Sequence, residues 1–184
     1  MRALVAARPL QDMAAAITQW LAGQAPLGRT GCVGLQLRIE RDWQNYIRRK
    51  KVAERIDSSR EMVTTNPHVI LGKLRRTPAF AETTTVWACC DEGDLTVPKS
   101  ELRRIAADHG LKLLFKTDLP AEIVLPDSPI KRSMIDYALC RNLPCYVGLT
   151  RSSFSNSLFN EARWNGEGSE HWAYNRAGEM LVRR

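Results

Sequence analysis

Four short apolar runs, spaced along the chain by segments of helical character, constrain this sequence more than any other feature. The runs are rich in aliphatic and β-branched residues and show little polar alternation, so they predict strands that are buried on both faces. They cover residues 32–39, 83–90, 111–117 and 144–149. Buried strands that alternate with helices are typical of βαβ units and a parallel sheet.

The intervening segments predict helices, several of them opened by proline, as in Asn66-Pro67 and Ser128-Pro129, and one of them closed by Gly110. The predicted helices cover residues 9–24, 44–58, 66–76, 97–110, 128–143 and 152–164. The tail, residues 171–182, predicts two short strands around a turn at 175–178. We therefore predict an α/β fold, a three-layer Rossmann-like domain with a mostly parallel sheet.

The composition narrows the classes of partner. With 184 residues the chain suits one domain, and no apolar run approaches the roughly 20 residues of a membrane span. The N-terminus shows no secretory signal.

The net charge of +7 favours an anionic partner, namely nucleic acid, phospholipid or a phosphorylated small molecule. Nucleic acid is disfavoured because no aromatic residues interleave with the basic runs and no recognition module is visible. The odd count of five cysteines predicts buried, reduced thiols.

Ligands of open α/β sheets bind outside the carboxyl ends of the strands, which directs attention to the residues that follow each predicted strand. Arg38 lies near the end of the first strand, where a guanidinium can donate two parallel hydrogen bonds to a phosphate. The alternative is an ion pair of Arg38 with Glu40 or Asp42. Both interpretations fit the sequence.

The fourth strand leads into Ser152, Ser153 and Phe154 at a helix start. Backbone N–H groups and serine hydroxyls there favour a phosphate, although either serine is also an ordinary N-cap. Asp136 lies among apolar residues in the preceding helix and requires a partner. That partner is either Lys131 or Arg132, or the adjacent N1–H and N2–H donors of a guanine. The glycine-rich phosphate loops and the nucleophile elbow of hydrolases are missing from the sequence.

Three segments resemble motifs of the GDP-fucose protein O-fucosyltransferases. The first motif of that family, H-L-R followed by an acidic residue and often D-W, is similar to "GLQLRIERDW". The last, an aspartate helix, a strand and then S-S-F-S/T, is similar to "MIDYALCRNLPCYVGLTRSSFS", and the strand that ends in an acidic turn is similar to "TTTVWACCDEGD". The resemblance covers roughly residues 31–164.

The resemblance implies a GT-B fold of two Rossmann-like domains, of which the C-terminal one binds GDP-fucose. Enzymes of the family transfer fucose with inversion and do not depend on a metal-bound sugar nucleotide. It implies GDP-fucose as donor and no cofactor or metal. Arg38 would contact the diphosphate and stabilise the charge on the leaving GDP, as the catalytic residue. The remaining implied GDP-sugar-binding residues are Gln36, Asp42, Asp136, Ser152, Ser153 and Phe154.

Two features depart from the family pattern. The histidine of the first motif is Gln36 here, and only about 30 residues precede that motif, where the family has a whole domain. We expect residues 1–30 to be a helix and loop left from, or linking to, such a domain, and residues 31–184 to be the nucleotide-sugar-binding domain. The expected location is cytoplasmic for a complete chain and the secretory pathway for a fragment.

The expected function is that of a partial or reduced fucosyltransferase-like protein, which binds GDP-fucose and transfers fucose to a hydroxyl of a protein or glycan acceptor. The first alternative is a non-catalytic module that binds GDP or a nucleotide sugar. The second alternative is a basic Rossmann-like domain that binds nucleic acid or acts as a scaffold.

Overall fold

The structure, a computed structural model, describes residues 7–53, 64–165 and 169–184. Helices and strands alternate along these residues, as the sequence predicts. The elements in chain order are α1 Arg8–Gln24, β1 Cys32–Gln36, α2 Arg41–Ala53, α3 Pro67–Arg76, β2 Thr85–Cys89, α4 Lys99–Asp108, β3 Lys112–Leu114, α5 Pro129–Asn142, β4 Cys145–Gly148, α6 Ser153–Asn165, β5 Glu170–Ala173 and β6 Val182–Arg183.

The strands form a six-stranded sheet in the order β3-β2-β1-β4-β5-β6. The first five strands in the chain run parallel to their neighbours, and β6 pairs with β5 in the antiparallel sense. This order is that of a doubly wound Rossmann sheet, in which successive strands are added outward from β1 on one side and outward from β4 on the other, so that the strand order reverses between β1 and β4. The predicted α/β class, the mostly parallel sheet and the two short tail strands are confirmed.

Helices cover both faces of the sheet and bury a separate core on each. One core joins the sheet to apolar side chains of α2, α3 and α4, and the other joins it to α1, α5 and α6. All residues of β1, β2 and β4 are buried, which agrees with the continuous apolar runs in the sequence. The five cysteines are buried and free, so the prediction of reduced, buried thiols is confirmed.

The predicted helix starts have clear local causes. Asn66 accepts a hydrogen bond from the backbone N–H of His68 at 3.0 Å, and Pro67 occupies the first helical position of α3. Ser128 and Pro129 open α5 in the same way, with a longer bond of 3.5 Å from the Lys131 N–H to the serine hydroxyl.

Most predicted boundaries lie within two residues of the structure, and three differ by three residues. The first strand ends at Gln36 instead of residue 39, because the N–H groups of Arg38 and Ile39 bond to carbonyls only two residues back. The third ends at Leu114 instead of residue 117, because the Asp118 carboxylate accepts the Phe115 N–H and closes a 3₁₀ turn. Helix α2 starts at Arg41, earlier than predicted, and residues 54–58 of that predicted helix lie outside the described part.

Helix α1 lies within the stretch of residues 1–30 that the sequence analysis separates from the main domain. It packs along α5, and its residues Ala14, Ile17 and Leu21 are fully buried in the same core as Trp87 and the helix α5. The described part of residues 1–30 therefore contributes a helix to the core of residues 31–184.

Candidate functional site

A cleft of about 950 Å³ opens at the carboxyl ends of the parallel strands. It lies where the strand order reverses between β1 and β4, the usual ligand position in sheets of this type. The sequence-predicted site residues come from the end of β1 and from the helices α2, α5 and α6. All of them line this cleft, namely Gln36, Arg38, Asp42, Asp136, Ser152, Ser153 and Phe154.

Arg38 is held by two carboxylates and an aromatic ring. Its Nη1 lies 3.2 Å from Glu40 Oε2, its Nη2 lies 2.8 Å from Asp42 Oδ2, and the guanidinium sits 5.3 Å from the Trp43 ring centroid. Burial lowers the pKa of Arg38, but the two carboxylates outweigh burial and raise it above its ordinary value. Both ion pairs that the sequence offers as the alternative to a phosphate contact are therefore formed, and Arg38 is a fixed cation.

Glu40 joins the ends of two neighbouring strands. Its Oε1 accepts the backbone N–H of Asp91, after β2, at 3.1 Å, while its Oε2 faces Arg38 after β1. The residue is 2% exposed. Burial raises the pKa of Glu40, and the neighbouring guanidinium opposes that rise. Glu40 therefore fixes the position of Arg38 relative to the acidic turn at residues 91–94.

Asp136 forms a buried ion pair, but with a residue that the sequence analysis does not name. Its Oδ2 lies 2.6 Å from the Lys116 ammonium, and its Oδ1 accepts a long hydrogen bond of 3.4 Å from the Trp87 indole. The expected ion-pair partners, Lys131 and Arg132, are wrong, because Arg132 donates to the Pro126 carbonyl instead and Lys131 is exposed.

Lys116 also donates to the Cys90 carbonyl at 2.9 Å and is 6% exposed. Burial lowers the pKa of this ammonium, but the Asp136 carboxylate outweighs burial and holds the pKa above its ordinary value. Lys116 is therefore charged at neutral pH. The signal that could have found it is its place at the carboxyl end of the third predicted strand, at the same sheet edge as Asp136.

Gln36 faces the fourth strand and the start of α6. Its Oε1 accepts from the Ser155 hydroxyl at 2.6 Å and lies 3.4 Å from the Tyr146 hydroxyl. Ser155, which is completely buried, also accepts the backbone N–H of Leu149 at 3.1 Å. The Gln36 side chain thus fastens α6 to the ends of β1 and β4. The sequence analysis does not identify Ser155 as part of this cluster.

The start of α6 combines a weak cap with a wall of aromatic rings. Ser152 accepts the Ser155 N–H at 3.5 Å, so the N-cap interpretation is met only by a long hydrogen bond. Ser153 is exposed, and the Phe154 ring packs edge-on against the Tyr137 ring, with the two ring centroids 5.5 Å apart. Ser152 and Ser153 border the cleft at the N-terminus of α6.

The cleft is more acidic than the chain as a whole. Six carboxylates line it, those of Glu40, Asp42, Asp91, Glu92, Asp94 and Asp136. Four cations line it, those of Arg38, Lys99, Lys116 and Arg132. The first three of these cations are paired with carboxylates of the cleft itself, and Arg132 bonds to a carbonyl. An anion that enters the cleft therefore meets cations that already have partners.

The cleft also has an apolar part to its lining, which comes from the segment between β3 and α5 and from the first turn of α5. Its lining residues include Leu119, Pro120, Ile123, Leu125 and Ile130. Such a lining beside the buried Lys116–Asp136 pair suits a flat ring with polar groups on one edge. Apolar side chains would cover the faces of the ring, and the charged pair would meet its polar edge.

No protein-family model matches the chain, and no curated protein matches it in sequence. The fold and the cleft define a Rossmann-like α/β protein with a site at the switch point of its sheet. Among the described residues, no helix combines the length and the apolar character that crossing a bilayer requires. In the same residues, no cluster of three or more His, Cys, Asp and Glu side chains is arranged to hold a metal ion, and the prediction of metal-free binding stays a prediction.

Proposed function

We propose that the cleft binds GDP-fucose and that the chain is a fucosyltransferase-like protein, which transfers fucose to a hydroxyl of a protein or glycan acceptor. One observation carries the proposal. The seven residues that the motifs predict are spread over more than 100 positions of the chain, yet all of them line one cleft at the switch point of the sheet. Their assembly supports a shared ligand.

The chemistry of the two ends of the cleft fits the two ends of a nucleoside diphosphate. Arg38 and the N-terminus of α6 offer hydrogen-bond donors and positive charge, which suit the diphosphate and the negative charge that grows on it as the sugar leaves. Asp136 keeps acceptor capacity beyond its two present bonds, since a carboxylate offers about four lone-pair sites. That capacity suits the adjacent N–H donors of guanine.

A second candidate is a module that binds GDP or a nucleotide sugar without transferring the sugar. Gln36 favours it, because its side-chain oxygen is already occupied by Ser155 and Tyr146 and an amide does not titrate. This candidate shares the binding site of the first and differs only in turnover. A third candidate, nucleic-acid binding through the net charge of +7, predicts a steep salt dependence instead.

The test is calorimetric titration with GDP, ADP and UDP at two salt concentrations, for the wild type and Asp136→Asn. We expect GDP to bind best, with little salt dependence, and Asp136→Asn to reduce that preference at least tenfold. The asparagine retains an oxygen toward Lys116, so it disturbs the fold less than alanine does. The matched control is Asp108→Asn on α4, which removes one exposed carboxylate outside the cleft.

The absence of GDP binding in a folded wild type would contradict the proposal. Equal binding of the three nucleotides would contradict the guanine assignment alone. If GDP binds, release of GDP from GDP-fucose in the presence of candidate acceptors separates the enzyme from the binding module. Binding to an anionic homopolymer that weakens steeply with salt would favour the third candidate.

A further inference from the structure

The two carboxylates that hold Arg38 differ sharply in their surroundings. The Glu40 side chain is 3% exposed, whereas the Asp42 side chain is 60% exposed. Glu40 is also anchored on its other oxygen by the Asp91 N–H, which ties it to the neighbouring strand end. A buried, anchored carboxylate cannot leave its partner without a large desolvation cost, but an exposed one exchanges with water easily.

The position of Asp42 strengthens this contrast. Asp42 lies at the second residue of α2, and its Oδ2 reaches Arg38 Nη2 from the solvent side of the cleft. Its other oxygen, Oδ1, accepts the N–H of the next residue, Trp43, at 2.6 Å. Among the described contacts, Arg38 is therefore the one cation that Asp42 binds, and the bond lies at the open side.

We propose that the Asp42 carboxylate accepts the hydrogen bond of Arg38 Nη2 while the cleft is empty, in the place where a phosphate of the ligand binds. When the diphosphate binds, it displaces Asp42 and accepts the hydrogen bond from Nη2 instead. Glu40 remains in place during the exchange and keeps the guanidinium oriented. The inference rests on the proposed function, since it specifies how a diphosphate gains access to Arg38. Asp42 thereby competes with the ligand and does not hold it.

This arrangement makes the site selective for charge. An anion gains little from Arg38 unless it attracts the guanidinium more strongly than the carboxylate it replaces. A diphosphate brings more charge and more acceptor oxygens than a single carboxylate, and it also meets the N-terminus of α6. A singly charged anion brings neither more charge nor more acceptor oxygens than the Asp42 carboxylate. Asp42 therefore sets a threshold that screens out carboxylates and other weak anions.

The experiment measures the affinity of inorganic pyrophosphate, GDP and acetate for the wild type and Asp42→Asn, by calorimetry at low salt. We expect Asp42→Asn to bind pyrophosphate and GDP about fivefold more tightly, the equivalent of about 1 kcal/mol for an exposed ion pair. We expect acetate to bind neither form detectably, because a single carboxylate gains no more from Arg38 than an exposed ion pair is worth. Asp42→Ser repeats the test with a second uncharged side chain.

Two further variants separate this exchange from general charge effects. Asp94→Asn removes a negative charge from the cleft lining and leaves both partners of Arg38, while the asparagine oxygen can still accept the Asp42 N–H that Asp94 accepts at 3.0 Å, and we expect a gain of less than twofold. Glu40→Gln removes the buried anchor, and we expect binding of pyrophosphate to weaken about tenfold because the guanidinium loses its orientation. Circular dichroism checks that each variant is folded.

The outcomes distinguish the inference from the proposed function. If the wild type binds GDP but Asp42→Asn binds it equally or more weakly, the inference is wrong and the proposed function stands. If Asp94→Asn gains as much as Asp42→Asn, the effect is general electrostatics and the inference is again wrong. If neither the wild type nor Asp42→Asn binds pyrophosphate or GDP, both are wrong.

Discussion

Lys116 and Asp136 are opposite buried charges that line the cleft, 2.6 Å apart. Each ion gives up its hydration, and the attraction between them returns that cost only while both are present. Lys116 cannot be explained by stability alone, since two apolar side chains of similar volume would fill the same space without the desolvation cost. A buried pair at the edge of a cleft is instead suited to setting which polar groups a ligand can present there.

We expect Lys116→Met to lower the free energy of unfolding by about 3–5 kcal/mol, because it leaves the Asp136 carboxylate buried without its cation. The double variant Lys116→Met/Asp136→Leu should recover most of that loss, since neither charge remains. Urea titration followed by circular dichroism measures both. Arg104→Met, which breaks an exposed pair with Glu101 on α4, is the control and should change the midpoint very little. A double variant no more stable than the single one would contradict this account of the pair.

At the scale of elements, local sequence patterns predict that the helices and strands form. The residues at which they end depend on contacts that the spacing of apolar residues does not reveal. Asn66 and Ser128 mark helix starts by chemistry that operates within three residues, so they are visible in the sequence. The early end of the third strand depends on the Asp118 carboxylate folding back to the Phe115 N–H. An apolar run alone does not reveal that competition.

The candidate site likewise has residues that the sequence predicts and contacts that it does not. Its seven predicted residues could be placed at one sheet edge, because parallel strands bring their carboxyl ends together. Their partners could not, because Lys116 lies 20 positions from Asp136, and Ser155 lies 119 positions from Gln36. Such pairings depend on how the elements pack, because the residue types alone are compatible with several different partners for each side chain.

Gly148 marks the point where β4 passes closest to the first turn of α6. A Cβ at this position would lie 2.7 Å from the Tyr146 ring and hydroxyl and would also overlap the Ser155 hydroxyl. We expect Gly148→Ala to lower the free energy of unfolding by about 1–3 kcal/mol, because the Gln36–Tyr146–Ser155 cluster has to shift. Thermal unfolding measures the change.

The matched control is Gly23→Ala on α1, where a Cβ meets open space. An alanine there should leave stability unchanged or raise it by up to about 1 kcal/mol, as expected for an exposed helix position. Equal losses at the two glycines would contradict the assignment of a close approach to Gly148.

At the scale of the whole molecule, the net charge and the site charge have opposite signs. The chain carries +7, yet six carboxylates and four cations line the cleft. The excess of basic residues therefore lies outside the cleft, and overall charge does not predict the character of the site. Under the proposed function, a diphosphate would gain its affinity from exchange at Arg38 and from the donors of α6, since the field of the cleft walls does not supply it.

The two cores on opposite faces of the sheet make a further prediction about cooperativity. Leu21 of α1 is fully buried, and Trp20 beside it lies edge-on to Trp87 of β2, with ring centroids 6.3 Å apart. If α1 is part of the domain, Leu21→Ala should cost about 2–5 kcal/mol of unfolding free energy. The exposed neighbour Gln19→Ala should cost little.

The decisive measurement is whether tryptophan fluorescence and far-ultraviolet circular dichroism of Leu21→Ala still report one coincident transition in urea. Coincidence at a lower midpoint means that a cavity under α1 weakens the sheet and all of its helices together, as in a single cooperative unit. A fluorescence change that precedes the loss of helix signal would instead mean that α1 detaches first. In that case any nucleotide binding by the cleft, whose described lining includes no residue of α1, would survive the release of that helix.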